Sequence, residues 1–131
     1  MNHFVYERQW PLLGYQDLSF ADFATAAAVD AASLPDGATI THAWIDVKVA
    51  FNSATTATLS VGDKTSATRY GNAIDLKAVG RKALANSSGF TTAEAGALVA
   101  TFAQTGAAAT AGQARLVFQY MVDRKADEIQ D

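Results

Sequence analysis

The stretch TITHAWIDVKVAFNSATTATLSVG, Thr39–Gly62, decides the fold. Read at period two, Ala43, Ile45, Val47, Val49 and Phe51 share one face, and His42, Trp44, Asp46 and Lys48 share the other. That is a long β-strand with one buried and one wetted face. After Asn52-Ser53-Ala54 the alternation resumes, with Ala57, Leu59 and Val61 set against Thr56, Thr58 and Ser60, and it stops at the turn pair Gly62-Asp63. Two strands joined by a short polar loop predict an antiparallel pair. Such a pair is marginal alone, so other strands must cover its apolar face. No nucleophile, base or metal cluster lies on it.

Working outward, the closing stretch is the clearest further strand. Leu116, Phe118, Tyr120 and Val122 point inward, and Arg115, Val117, Gln119 and Met121 outward. Phe51, Val49, Phe118 and Leu116 are therefore expected to share a core. Ala97 to Gln104 alternates with Leu98 and Phe102 on one face, and the Ala/Gly/Thr stretch from Thr105 to Gly112 reads as a flexible hairpin loop. Upstream of the long strand, Leu34-Pro35-Asp36-Gly37 is a turn with Pro second and Gly fourth. Asp17 to Phe23 alternates weakly through Leu18 and Phe20. Ala24 to Ala32 is a second strand with Ala27 and Val29 inward, although its alanines leave a helix over Phe20 to Ala32 as a competitor. Asp63 to Asp75 is polar, with Tyr70 its large residue. Ile74, Leu76 and Val79 form a short strand ending at Gly80, Arg81 to Leu84 another, and Asn86-Ser87-Ser88-Gly89 a loop.

Seven or eight short strands separated by turn signals predict an all-β domain, a single antiparallel β-sandwich, with jelly-roll-like and immunoglobulin-like topologies both open. The expected division is an extended N-terminal arm at 1–16, the sandwich at 17–122 and a charged tail at 123–131. The arm carries Phe4, Tyr6 and Trp10 ahead of Pro11 and Gly14, and either packs on its own domain or reaches a partner.

With 131 residues, the chain suits one domain. It is 50% hydrophobic, much of that alanine, so small residues and a few aromatic anchors must build the core. A net charge of −3 and a pI near 5.2 argue against nucleic acid as a partner, since no basic stripe exceeds Arg81-Lys82 or Arg124-Lys125. Cysteine is absent, which excludes thiol chemistry and thiolate metal sites. The N-terminus carries Glu7 and Arg8 and no apolar core of a signal peptide, and no window approaches a membrane span. The expectation is a protein made in the cytoplasm with no membrane partner.

Candidate chemistry is sparse. His42 and Asp46 stand two steps apart along one strand face, roughly 13 Å, too far to converge. The carboxylates Asp30, Asp36, Asp46, Asp63, Asp75 and Glu94 are scattered, and Asp63 beside Gly62 reads as a turn former, with a loop calcium as the alternative. Gly62-Asp63-Lys64-Thr65-Ser66 lacks the first glycine and the helix of a phosphate loop, and no Gly-x-Ser-x-Gly elbow occurs. No catalytic, cofactor or metal residue is assigned, and the chain reads as a non-enzyme. Trp44, outward beside His42 and Lys48, is either covered by its own chain or marks a contact patch. Phe4, Tyr6, Trp10, His42 and Trp44 are the interface candidates.

The run Ala43–Asp63, the pairs Arg69-Tyr70 and Asp75-Leu76, and the closing Ala111-Gly112-Gln113-Ala114-Arg115-Leu116-Val117 resemble a pattern in small structural proteins of tailed bacteriophages. There a strand ends in a short loop, followed by a T-L-x-V-G strand and a polar segment with a Tyr or Phe. The resemblance covers Leu34 to Val122. It implies a virion component at the capsid surface, a head decoration (cement) protein that binds the major capsid protein or other virion proteins as a homo-oligomer, trimer or dimer. A tail, neck or fibre-associated protein of the same fold is the rival position. A carbohydrate-binding module stacking sugars on Trp44 and Trp10 is the rival from another class.

Overall fold

The computed structural model describes residues 11–84 and 96–122. Eight strands follow one another: β1 (Leu12–Ser19), β2 (Ala28–Leu34), β3 (Ala38–Val49), β4 (Thr56–Gly62), β5 (Gly71–Asp75), β6 (Gly80–Ala83), β7 (Gly96–Thr105) and β8 (Gln113–Val122). A single 3₁₀ turn, Phe20–Phe23, follows β1. Two four-stranded antiparallel sheets, β1-β8-β3-β6 and β2-β7-β4-β5, make the expected sandwich. Its topology follows one rule. The β4–β5 hairpin is the fold-back point of a long ribbon in which β3 meets β6, β2 meets β7 and β1 meets β8. Rolling that ribbon adds the β3·β8 and β4·β7 ladders and makes the jelly roll, the first of the two topologies that the strand pattern left open.

One expectation fails here. β3 and β4 do not pair with each other; they lie in opposite sheets. Both carry a fully apolar face, and crossing over lets Ile45 and Val47 look across the core at Leu59 and Val61 instead of lying beside them. The crossing is held by buried and part-buried hydrogen bonds. Phe51 N–H donates to the Leu76 carbonyl at 3.0 Å, Ser53 Oγ donates to the Thr56 carbonyl at 2.7 Å, and Lys77 Nζ donates to the Ser53 carbonyl.

Phe51 stands against Phe102 with ring centroids 5.3 Å apart, and Phe23 also packs on Phe102, at 5.1 Å. Leu116 and Phe118 are buried with them as expected. Val49 is not; it is 44% exposed. The β3–β8 register shifts between Val47 and Val49, and the slipped residue turns outward while Phe51, beyond the strand end, turns back in.

Other boundaries move too. The segment Phe20 to Ala32 is neither one helix nor a strand from Ala24: the turn ends at Phe23, and β2 starts at Ala28 with Ala31 and Leu34 buried, Val29 half-buried and Ala27 exposed. Ile74 and Leu76 do not continue to Val79. β5 ends at Asp75, and Val79 is exposed in the passage to the other sheet. The turn before β3 closes from the Pro35 carbonyl to Ala38 N–H at 3.3 Å, which places Gly37, φ 73°, third rather than fourth. Tyr120 is half-buried rather than core. Strand pairing also begins at Leu12, so residues 12–16, assigned to the arm, belong to the sheet. Residues 1–10 and the tail 123–131 lie outside the described residues, as does the expected loop at Asn86–Gly89.

Candidate functional site

The outer face of the β1-β8-β3-β6 sheet collects the residues that could meet a partner. Side chains alternate along each strand, and the register aligns those of neighbouring strands in rows. Tyr15, Val117, Trp44 and Ala83 make one row across the four strands. Leu13, Gln119 and His42 make the next, and Met121 lies beyond. On the other side of the Tyr15 row stand Asp17, Arg115, Asp46 and Arg81, alternating in sign across the sheet.

Leu13 is 66% exposed and Tyr15 61% exposed, a large apolar area for one strand. Val117, expected to be solvated, is 9% exposed, because its row neighbours Tyr15 and Trp44 flank it. Trp44 is half-buried, with the Arg81 guanidinium 5.5 Å from its ring centroid. Arg115 covers Tyr15 at 4.4 Å while donating to both oxygens of Asp17, at 2.7 and 3.2 Å. This bidentate bond holds the Asp17 carboxyl below the usual carboxylate range and raises Arg115. Both cations thus lie over aromatic rings, and the Asp17 pair holds Arg115 there.

At the charged edge of this face lies an open depression of about 370 Å³ lined by Asp17, Asp22, Lys48 and Arg115 among others. Its charged groups are already engaged. Asp17 takes Arg115, Asp22 accepts Ser19 N–H at 2.7 Å, and Lys48 lies 3.2 Å from Asp46. No nucleophile–base pair forms in it. Among the described residues no three His, Cys, Asp or Glu side chains gather as metal ligands. Asp63 is a turn former: its Oδ1 accepts Thr65 and Ser66 N–H at 2.9 and 2.7 Å, and its Oδ2 accepts Arg69 Nε at 2.5 Å. Burial works against its ionisation, but the bonds from Arg69, Ser66 and Thr65 outweigh that and lower its pKa. Beside it the Tyr70 hydroxyl is buried without a hydrogen-bond partner, and burial raises its pKa.

Of the candidates read from sequence, His42 and Trp44 come together on this face, in adjacent rows. Phe4, Tyr6 and Trp10 lie outside the described residues. Leu13 and Tyr15 were missed, although the alternation Leu13, Tyr15, Asp17 was there to read once 12–16 is taken as strand.

No protein-family model matches the chain, and no curated relative matches it in sequence. Among solved structures it is similar to a chain of the capsid asymmetric unit of cyanophage Pam1, with a TM-score of 0.71 and 26% identity over 86% of this chain and 84% of that one. It also shares its fold with a chain of the acid-stable capsid of Helicobacter pylori bacteriophage KHP30, with a TM-score of 0.67 and 18% identity over 86% of this chain and 87% of that one. These structural neighbours are chains of phage capsids. No helix among the described residues is long and apolar enough to cross a membrane.

Proposed function

We propose that this chain is a non-enzymatic structural protein of a tailed-phage virion, carried on the head as a decoration (cement) protein that binds the major capsid protein. The observation that carries the reading is the likeness to the cyanophage Pam1 capsid chain, 26% identical over 86% of this chain. The resemblance of Ala43–Asp63 to small phage structural proteins points the same way. The outer face of β1-β8-β3-β6 supplies the means: an apolar and aromatic row for burial, edged by the exposed ion pairs Asp17–Arg115 and Asp46–Lys48, which suit the polar rim of a contact. Phe4, Tyr6 and Trp10 are proposed to extend the contact from the N-terminal side of β1. The working form is a homo-oligomer, and the place of action is the capsid surface.

Sugar stacking on Trp44 fits less well, because the Arg81 guanidinium already lies over that ring. The test uses heads purified without this chain and supplied with the purified protein. Saturable binding that raises the temperature at which the heads lose DNA is expected. Trp44→Ala, with its fold intact, should bind more weakly by about 2 kcal/mol, or roughly thirtyfold. Deleting residues 1–10 should leave the sandwich folded and abolish attachment. Unchanged binding by both variants would refute this contact face. A saturable fluorescence response of Trp44 to a soluble oligosaccharide would favour the binding module.

A further inference from the structure

Four strand edges bound the two sheets, at β1, β6, β2 and β5, and three of them are blunted against pairing. β2 breaks register between Asp30 and Ala32. β5 is 5 residues long, kinked at Ala73 with φ 51°, and its ladder shifts register. β6 is 4 residues long and carries Arg81 and Lys82. Short, bulged and charged edges are how native sheets refuse further strands. β1 is neither short nor bulged, and its one charge, Asp17, is paired with Arg115 of β8. Its 8 residues pair with β8 without a register shift.

In an antiparallel ladder, alternate residues turn both backbone groups to the same neighbour. Phe20 N–H donates to the Gly112 carbonyl at 3.2 Å, continuing the register in which Ser19 faces Gln113. Even-numbered residues of β1 therefore face β8, and Leu13, Tyr15, Asp17 and Ser19 face away. The far half of that edge is closed by its own chain. Gln16 Nε2 donates to the Asp17 carbonyl at 3.3 Å, and Ser19 N–H donates to Asp22. No hydrogen bond among the described residues reaches the outward groups of Leu13 or Tyr15.

We propose that β1 pairs antiparallel with β1 of a second copy, about a twofold axis through Gly14, which joins two four-stranded sheets into one of eight strands. In this register Leu13 faces Tyr15 of the second copy and Tyr15 faces its Leu13. The N–H and C=O of both residues form a four-bond ladder from the groups left open. A twofold through Tyr15 or Gln16 would instead require the Asp17 carbonyl or Ser19 N–H, which are engaged. The side chains agree. Leu13 and Tyr15, the two most exposed residues of the apolar face, become cross-strand neighbours. Gly14 meets Gly14 in the narrow, non-hydrogen-bonded position, on a strand where a Cβ would already come within 2.5 Å of the Phe118 ring. The paired copies present one continuous apolar stripe. The inference sharpens the homo-oligomer of the preceding section and is independent of where the chain sits on the virion. The contact is shorter than the ~800 Å² per partner of stable complexes, so free dimers should be weak, on the order of tens of micromolar or weaker.

The chain has no cysteine, so introduced thiols report register directly. Leu13→Cys and Tyr15→Cys proteins are mixed under mild oxidation, and sedimentation of the wild type is followed over rising concentration. Facing positions lie about 5.5 Å apart at Cα, within disulfide reach, whereas position 13 to position 13 is beyond about 7 Å. Expected are a reversible wild-type dimer and a mixed covalent dimer forming at least tenfold faster than either variant couples alone. Tyr15→Pro removes an outward N–H together with the ring that meets Leu13 of the second copy and leaves the bonds to β8 in place, so it should keep the fold and raise the dimer dissociation constant at least tenfold. If that variant unfolds, the thiol experiment still decides. A wild type monomeric at millimolar concentration, or equal coupling of each variant with itself, overturns the proposal. A monomer that binds heads would refute the pairing alone; a dimer that ignores them would refute the head assignment alone.

Discussion

Gly112 leaves no room for a side chain. It sits at φ 152°, and a Cβ there would come within 2.5 Å of the Phe51 ring. The two residues lock together: the ring fills the end of the core against Phe102, and the glycine lets the β7–β8 connection close over it. Asn52, next in sequence, fastens the same connection through its Oδ1, which accepts Thr110 and Ala111 N–H at 2.7 and 3.0 Å. The stretch read from composition as a flexible loop is thus pinned. Phe51→Ala should destabilise the domain by about 3–5 kcal/mol, through lost burial plus a cavity between the sheets. Chemical denaturation measures this, and a loss below about 1 kcal/mol would mean the crossing does not depend on Phe51. At this scale the sequence was partly legible. Alternation marked Phe51 and Phe118 as core, yet it also marked Val49, because period two carries no sign of the bulge that turns that residue out.

Among the elements, the Gly62–Tyr70 loop shows how a polar segment earns a fixed shape without secondary structure. One carboxylate, Asp63, gathers two backbone N–H groups and the Arg69 guanidinium, and Tyr70 N–H donates to the Val61 carbonyl at 2.9 Å to close the loop onto β4. The Asp63 pKa is lowered in the fold, so its contribution is present above about pH 4 and is lost as pH falls through the lower folded value. Asp63→Asn should therefore cost about 1–2 kcal/mol at pH 7 and less at a pH below 4 by urea unfolding. An equal loss at both pH values would show that shape, not charge, organises the loop. Strand existence was legible in the sequence for the strong alternations, which became β3, β4, β7 and β8, whereas the weak one at Asp17–Phe23 split into the end of β1 and a 3₁₀ turn. Sheet assignment was not. Whether β3 pairs with β4 or crosses from it depends on contacts with β6, β7 and β8, far along the chain, and a two-strand window holds no trace of them.

For the whole molecule, the ribbon rolled into two sheets leaves one face and one edge unlike the rest. Aromatic and aliphatic side chains crowd the outer face of β1-β8-β3-β6, and among the described edges β1 keeps an 8-residue run with no register shift. Half of this surface was readable in advance, through Trp44 and His42. Leu13 and Tyr15 were hidden because Pro11 and Gly14 made their segment look like an arm. The strand there becomes visible only through its ladder with β8, about a hundred residues later. The central claim, a structural place on a phage head, is tested most directly by cryo-electron microscopy of the intact particle at side-chain resolution. The account predicts this jelly roll on the outside of the head, its β1-β8-β3-β6 face and N-terminal residues buried against the coat. Finding the chain only in the tail or neck, or finding no copy of it in the particle, would contradict it.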